Sequence, residues 1–537
     1  MQLKIVLIPI SLIVAPLALG QPAEPHAAPG GLFQTAAQCI VCHSDLRGPD
    51  GSDVSIGTAW RATMMANAAR DPYWHAAVRR EVSDHPTAQV AIEDKCSTCH
   101  MPMEHVTASA AGEQSTVFAN LASMQTNPEG HLAADGVSCT VCHQIGPDNF
   151  GDAESFTGGF QIDTGTPAEQ RAIYGPHEVD AGRQRLMQSA SSFVPTAATH
   201  LKDSELCATC HTLYTHALDD LGNEVGQLPE QVPYLEWLAS DFRSTRSCQD
   251  CHMPVISQDT PISSVLGQPR PALSEHVFLG GNTLMLTIFN KYRGELSVLA
   301  LPQELDSAIR RTRVHLENET AALAIDNLRR TRDTLEFDVS VTNLAGHKLP
   351  TAYPSRRAWL HVTVRDIAGT VLFESGAVRA DGSIAGNAAD DDAASFEPHY
   401  VEITRADQVQ IYEPILADWQ GRVTTGLLFG VRYIKDNRLL PAGFDKDAVS
   451  GDVAVVGEAL ADPDFTAGGD RVRYRVPLAV AGALNIEAEL MFQSIGFRWA
   501  ENLTVYPAFE TERFVAYYRD TIEGAAVRLA FRNVILD

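Results

Sequence analysis

The apolar positions of this chain change rhythm near residue 300. From Phe33 to Asn290 no period is sustained, and Gly, Pro, His and Met interrupt short apolar runs. The clearest helix in that stretch is Asp71 to Glu81. Asp71 is its N-cap and Pro72 its first helical residue, a position where the missing N–H costs nothing. Residues 301–330 read as a linking helix of mixed charge. After it the period becomes two: Leu335, Phe337, Val339, Val341, then Leu360, Val362, Val364 before a turn at Gly369. The alternation returns at Val472, Tyr474, Val476 and at Ile486, Ala488, Leu490, Phe492. Half-buried strands between Gly, Pro and Asp turns predict an antiparallel β-sandwich over 331–537. The expected fold class is multidomain, with a mostly irregular and α-helical domain over 33–300 ahead of that sandwich.

The aperiodic half could hardly bury an ordinary side-chain core, and its cysteines indicate a substitute. All 10 cysteines fall in Cys-x-x-Cys-His units: Cys39-Cys42-His43, Cys96-Cys99-His100, Cys139-Cys142-His143, Cys207-Cys210-His211 and Cys248-Cys251-His252. In such a unit two thiols add to the vinyl groups of one porphyrin and the histidine meets the iron, which is the c-type haem attachment signature. A single Cys-x-x-Cys is also compatible with a redox pair, half a zinc site or a disulfide. Zinc does not require a histidine after every second cysteine, and a disulfide framework would not space every cysteine alike. Residues 33–300 are therefore expected to form a cytochrome c domain with five covalent haems, whose porphyrins supply the missing apolar bulk. No cysteine follows Cys251, so the second half is expected to hold no covalent haem.

The amino terminus fits export. Lys4 precedes an apolar run from Ile5 to Leu19, and Ala18-Leu19-Gly20 offers a small-x-small cleavage site, so 1–20 reads as a signal peptide and 21–32 as a linker. The run is short for a membrane span and is broken by Pro9 and Pro16. A periplasmic, secreted or cell-surface location follows. The formal net charge of -26 argues against nucleic acid or anionic membrane as partner and suits redox partner proteins of the envelope.

With a proximal imidazole at each motif, the opposite face of each iron separates a carrier from a catalyst. Ahead of residue 300 there are further histidines: His26, His75, His85, His105, His131, His177, His200, His216 and His276. His131 and His200 lie just upstream of a motif and are placed to swing to a neighbouring haem. His177 sits on a turn, and His276 precedes glycines that permit close approach to a porphyrin. These four are the expected distal ligands, with His75 a contender on its helix. His105 and His216 are too close to their own motifs, and His26 and His85 are assigned to solvent. Met65, beside Met64, is the thioether candidate for the first haem, where it would raise the potential.

The stretches Gly136-Val137-Ser138-Cys139, Ser204-Glu205-Leu206-Cys207 and Cys251-His252-Met253-Pro254 resemble exported multihaem c-type cytochromes. That broad group includes tetrahaem electron carriers and hydroxylamine-oxidoreductase-like proteins. In many of its members a Ser-Met-His segment supplies a distal ligand, and Thr63-Met64-Met65 stands at the corresponding place here. Gly346-His347-Lys348-Leu349-Pro350-Thr351, Tyr353-Pro354-Ser355-Arg356-Arg357 and Lys435-Asp436-Asn437-Arg438 resemble the carboxy-terminal β-domain that accompanies some of these cytochromes. His347 on an inter-strand loop is a further candidate ligand, and Arg356 and Arg357 are candidate propionate partners.

The leading expectation is electron transfer through five haems. The alternative is a reductase or oxidase of a small nitrogen or sulfur compound at a five-coordinate iron, with Tyr174 or a spare histidine as acid–base group. A third reading is a subunit of a haem filament or surface complex.

Overall fold

The computed structural model describes residues 31–127, 131–449, 451–478 and 480–537. The expected signal peptide, His26 and most of the linker lie outside the described residues.

Among the described residues the first half is built from short helices, loops and four two-stranded ribbons, of which Leu213–Leu218 with Glu224–Gln231 is the longest. Helix α1 (Pro72–Asp84) begins where the sequence predicts, with the Asp71 carboxylate accepting from the amides of Tyr73 and Trp74. Helix α2 (Gln89–His100) ends in the second motif and α3 (Ser204–His211) in the fourth. The other motifs lie on single helical turns or their ends, at Ala36–Ile40, Cys139–Cys142 and Cys248–His252.

The expected helix over 301–330 is shorter. Helix α4 spans Pro302–Glu319, and residues 321–330 form strand β1 (Ala321–Arg330). A helical reading of mixed charge missed that Ala321 and Ile325 turn inward against β2 (Thr334–Asn343), with which β1 pairs.

Two sheets follow. One has the order β5 (Glu402–Ile403), β7 (Gly469–Pro477), β2, β1. The other runs β4 (Val371–Ser375), β3 (Arg357–Asp366), β8 (Leu484–Gln493), β9 (Val527–Leu536), with β6 (Ile411–Tyr412) also on β3. All these pairings are antiparallel except the two-residue parallel contact of β5 with β7, so the expected all-antiparallel sandwich needs that correction. Leu335, Phe337, Val339 and Val341 meet Leu360, Val362, Val364, Ile486, Ala488 and Leu490 in one core. In β3 both faces are buried rather than one, because Trp359 packs outward on Ile384, Val409 and Ile411.

The carboxy-terminal stretch is more than sandwich. Helix α5 (Phe509–Thr521) packs on α1 of the first half. Phe514 lies 4.9 Å from Tyr73, and the Arg79 guanidinium meets both Glu510 oxygens at 2.8 and 3.0 Å.

Candidate haem-binding cavity

All ten motif cysteines and all five motif histidines line one continuous cavity of about 1360 Å³. A space of that size exceeds what a single small ligand needs. None of the ten thiols is in a disulfide.

Contacts between thiols give the motifs an order in space. Cys39 meets Cys139, Cys99 meets Cys210, and Cys207 meets Cys248. Cys142 lies within electrostatic reach of both Cys207 and Cys210. The first motif therefore neighbours the third, and the fourth is a junction beside the second, third and fifth.

Local hydrogen bonds set the imidazoles. Nδ1 of His43 donates to the Ile262 carbonyl at 2.6 Å, His100 to Ala68 at 3.2 Å and His143 to Tyr174 at 2.6 Å; His252 donates to Leu279. A carbonyl on Nδ1 leaves Nε2 as the ligating nitrogen, the outer-shell arrangement usual for metal-bound histidine. Burial holds His100 and His252 down to about 4 and His43, His143 and His211 below the ordinary range, so each lone pair is free for a metal.

Two motif histidines face a second imidazole. Rings that bind one metal from opposite sides, each nitrogen about 2 Å away, have centroids roughly 6.3 Å apart. His143 and His276 are 6.4 Å apart with planes at 11°, and His252 and His347 are 6.2 Å apart at 12°. Nδ1 of His276 donates to Ser274 at 3.0 Å and that of His347 to Lys348 at 2.8 Å, which leaves both Nε2 atoms for a metal. His315 of α4 also lies 6.4 Å from His252, tilted by 57°.

The β-rich half holds His347 in place through a buried ion network. Lys348 Nζ meets Asp436 Oδ2 at 2.7 Å, Arg438 bridges Asp436 and Glu236 at 2.8 Å each, and Thr351 Oγ1 donates to Glu236 at 2.5 Å. Glu236 belongs to the first half, so the network ties the His347 loop to it. Burial alone would raise Asp436, but Arg438 and Lys348 outweigh it and hold the carboxyl down to about 2.

The other expected residues are placed as follows. Met64, Met65, Tyr174, His177 and His216 line the cavity, with His216 bound to Glu224 at 2.8 Å. His200 is off the wall, its ring against Phe150 and Tyr174 and its Nε2 bonded to the Ile145 carbonyl at 2.9 Å. His131 is also off the wall and accepts from the Ala133 amide at 3.2 Å. These placements lend no support to the ligand roles expected for His131 and His200. His75 has both nitrogens engaged, Nε2 by Ala69 O and Nδ1 by Arg513, each at 2.8 Å. His85, expected in solvent, is 2 % exposed and packs on Phe429, because the loop after α1 folds under the 427–429 segment. Arg356 faces the cavity beside His211, whereas Arg357 points away and binds Asp390 at 2.7 Å and Gln493 at 2.9 Å.

Sequence reasoning missed His315. The signal is visible in retrospect, since Ala308, Thr312, His315 and Glu319 share one face of α4 at helical spacing and all line the cavity.

No family model matches the chain, and no curated protein matches it. Among solved structures it is similar to a penta-heme cytochrome c552 from Thermochromatium tepidum, at 18% identity and a TM-score of 0.52. The alignment covers 94% of this chain and 98% of that one. At this identity the likeness establishes a shared fold, which runs through both halves.

Proposed function

We propose that the protein is a pentahaem c-type cytochrome that relays electrons in the cell envelope. The observation that carries this reading is the convergence of all five motifs on one cavity in which two motif histidines face a second imidazole at metal-spanning distance. The penta-heme fold relative supports it. When bound, c-type haem supplies one-electron exchange between ferric and ferrous iron. The ten cysteines would hold it covalently, and His43, His100, His143, His211 and His252 would be the proximal ligands. His276 facing His143 and His347 facing His252 would be second ligands, and Met65 on the cavity wall is the proposed thioether ligand of the first haem. His177 remains a proposed ligand from the cavity wall. The adjacency of motifs suits a wire that branches at the fourth. Redox partner proteins of the periplasm or outer membrane are the proposed donors and acceptors, reached after cleavage of a signal peptide over 1–20.

Coulometric reduction tests the reading. Five electrons per chain should be taken up reversibly, matching the five motifs. Uptake of none would overturn it.

A further inference from the structure

The cavity carries proton-holding side chains that an electron relay does not use, and they gather at the second motif. The rings of Tyr73 and Tyr353 stand edge to face at 5.8 Å, and their hydroxyls are hydrogen-bonded to each other. Glu230, 5% exposed, accepts from Thr215 Oγ1 at 2.5 Å and lies with Glu81 beside Cys96. Tyr73, Tyr353, Glu81 and Glu230 all line the cavity. Burial raises Glu230 to about 7, so its carboxyl holds or releases a proton near neutrality, and burial keeps both phenols protonated. Titratable groups of this kind, converging in one cavity, mark a functional site.

Among the described residues this motif shares the lack of a facing imidazole with the first and fourth, and of the three it has the Glu81–Glu230 pair beside its thiol. The His100 ring, on the cavity wall, lies flat on Trp74 at 4.4 Å with planes at 3°, and its Nδ1 bond to Ala68 leaves Nε2 as the ligating nitrogen. His75, the nearby histidine of α1, has both nitrogens bonded elsewhere. Among the described residues no imidazole faces His100 as His276 faces His143.

We propose that the iron attached through Cys96, Cys99 and His100 takes a small exogenous ligand, with Tyr353, Tyr73 and Glu230 as its proton partners. The inference rests on the pentahaem reading and adds a ligand-binding activity to it. The two carboxyl groups favour a neutral nitrogen or oxygen donor over an anion. Lys95, next to Cys96, turns its ammonium to Thr157 O at 2.9 Å, and Arg356 lies beside His211. Tyr353 comes from the loop that also carries His347, so the β-rich half would help build the ligand site.

The test uses the full haem-loaded chain, with haem counted by intact mass and ferric iron followed by electron paramagnetic resonance during titration with imidazole and with azide. A high-spin iron is expected, converted to low-spin by imidazole. Glu230→Gln should strengthen azide binding about ten-fold, the effect of losing one like charge in a partly buried site. Tyr353→Phe should alter the high-spin signal and no low-spin one. Five haems with every iron low-spin and indifferent to both probes would overturn the inference and leave the pentahaem reading standing. A high-spin iron that ignores both substitutions would overturn it equally. A haem missing from the second motif would overturn both readings together.

Discussion

The two halves of the molecule use their apolar residues differently. Strands β2, β3, β7 and β8 meet across a core of their own side chains, with Leu335, Val339, Val362, Val472 and Ile486 fully buried against one another. The first half divides its apolar residues among smaller clusters set around the cavity, such as Phe33, Met103, Val141, Ile145 and Phe160. Period-two alternation is the mark of a chain that buries itself against itself. Its loss, together with regularly spaced Cys-x-x-Cys-His units, marks a chain that organises around something it holds. The loop of residues 344–356 joins the two strategies, since it leaves a sandwich strand and lines the cavity with His347, Tyr353 and Arg356.

The sharpest way to break this comparison is to remove one attachment site. Cys207→Ala/Cys210→Ala empties the junction motif, and hydrogen exchange should show protection lost through much of 31–300 but kept in β2, β7 and β8. Uniform loss in both halves would show that the sandwich does not stand on its own core. The complementary change, Phe337→Ala, removes a side chain 1% exposed in that core and should cost about 3–5 kcal/mol. Thermal melting followed by far-ultraviolet circular dichroism would read this, with the haem count unchanged.

The joint between the halves predicts a smaller, pH-dependent effect. Asp436 is held down to about 2 when folded, against about 3.9 unfolded. Its depressed value contributes stability that is complete above about pH 4 and lost as the pH falls toward 2. Asp436→Asn should lose that contribution at neutral pH, leave Lys348 and Arg438 with Glu236 alone, and flatten the acid limb of a stability–pH curve. An unaltered acid limb would show that the network does not couple the halves. The most local effect is at one iron. His347→Ala should abolish one near-parallel bis-imidazole signal in electron paramagnetic resonance, with His315 supplying a signal of wider plane angle. An unchanged spectrum would detach the β-rich half from the haem array.

Local features of the fold were legible in the sequence. The Asp71-Pro72 cap, the alternating strands and the attachment motifs each depend on residues a few positions apart, and the structure places the capped helix and the strands where that chemistry puts them. Partners distant in the chain were not legible. His276 meets His143, and His347 and His315 meet His252, only through tertiary packing that no spacing rule encodes. His200, chosen for its nearness to a motif, gives its Nε2 to a backbone carbonyl. The end of α4 was misread for a related reason. Ala and Leu suit a helix locally, and pairing with β2 makes 321–330 a strand.

Intact mass of the mature, denatured protein tests the central claim most directly, because covalent haem survives unfolding. The account predicts the polypeptide plus five haems, with none of the 10 cysteines open to alkylation. A bare polypeptide with ten reactive thiols would contradict it.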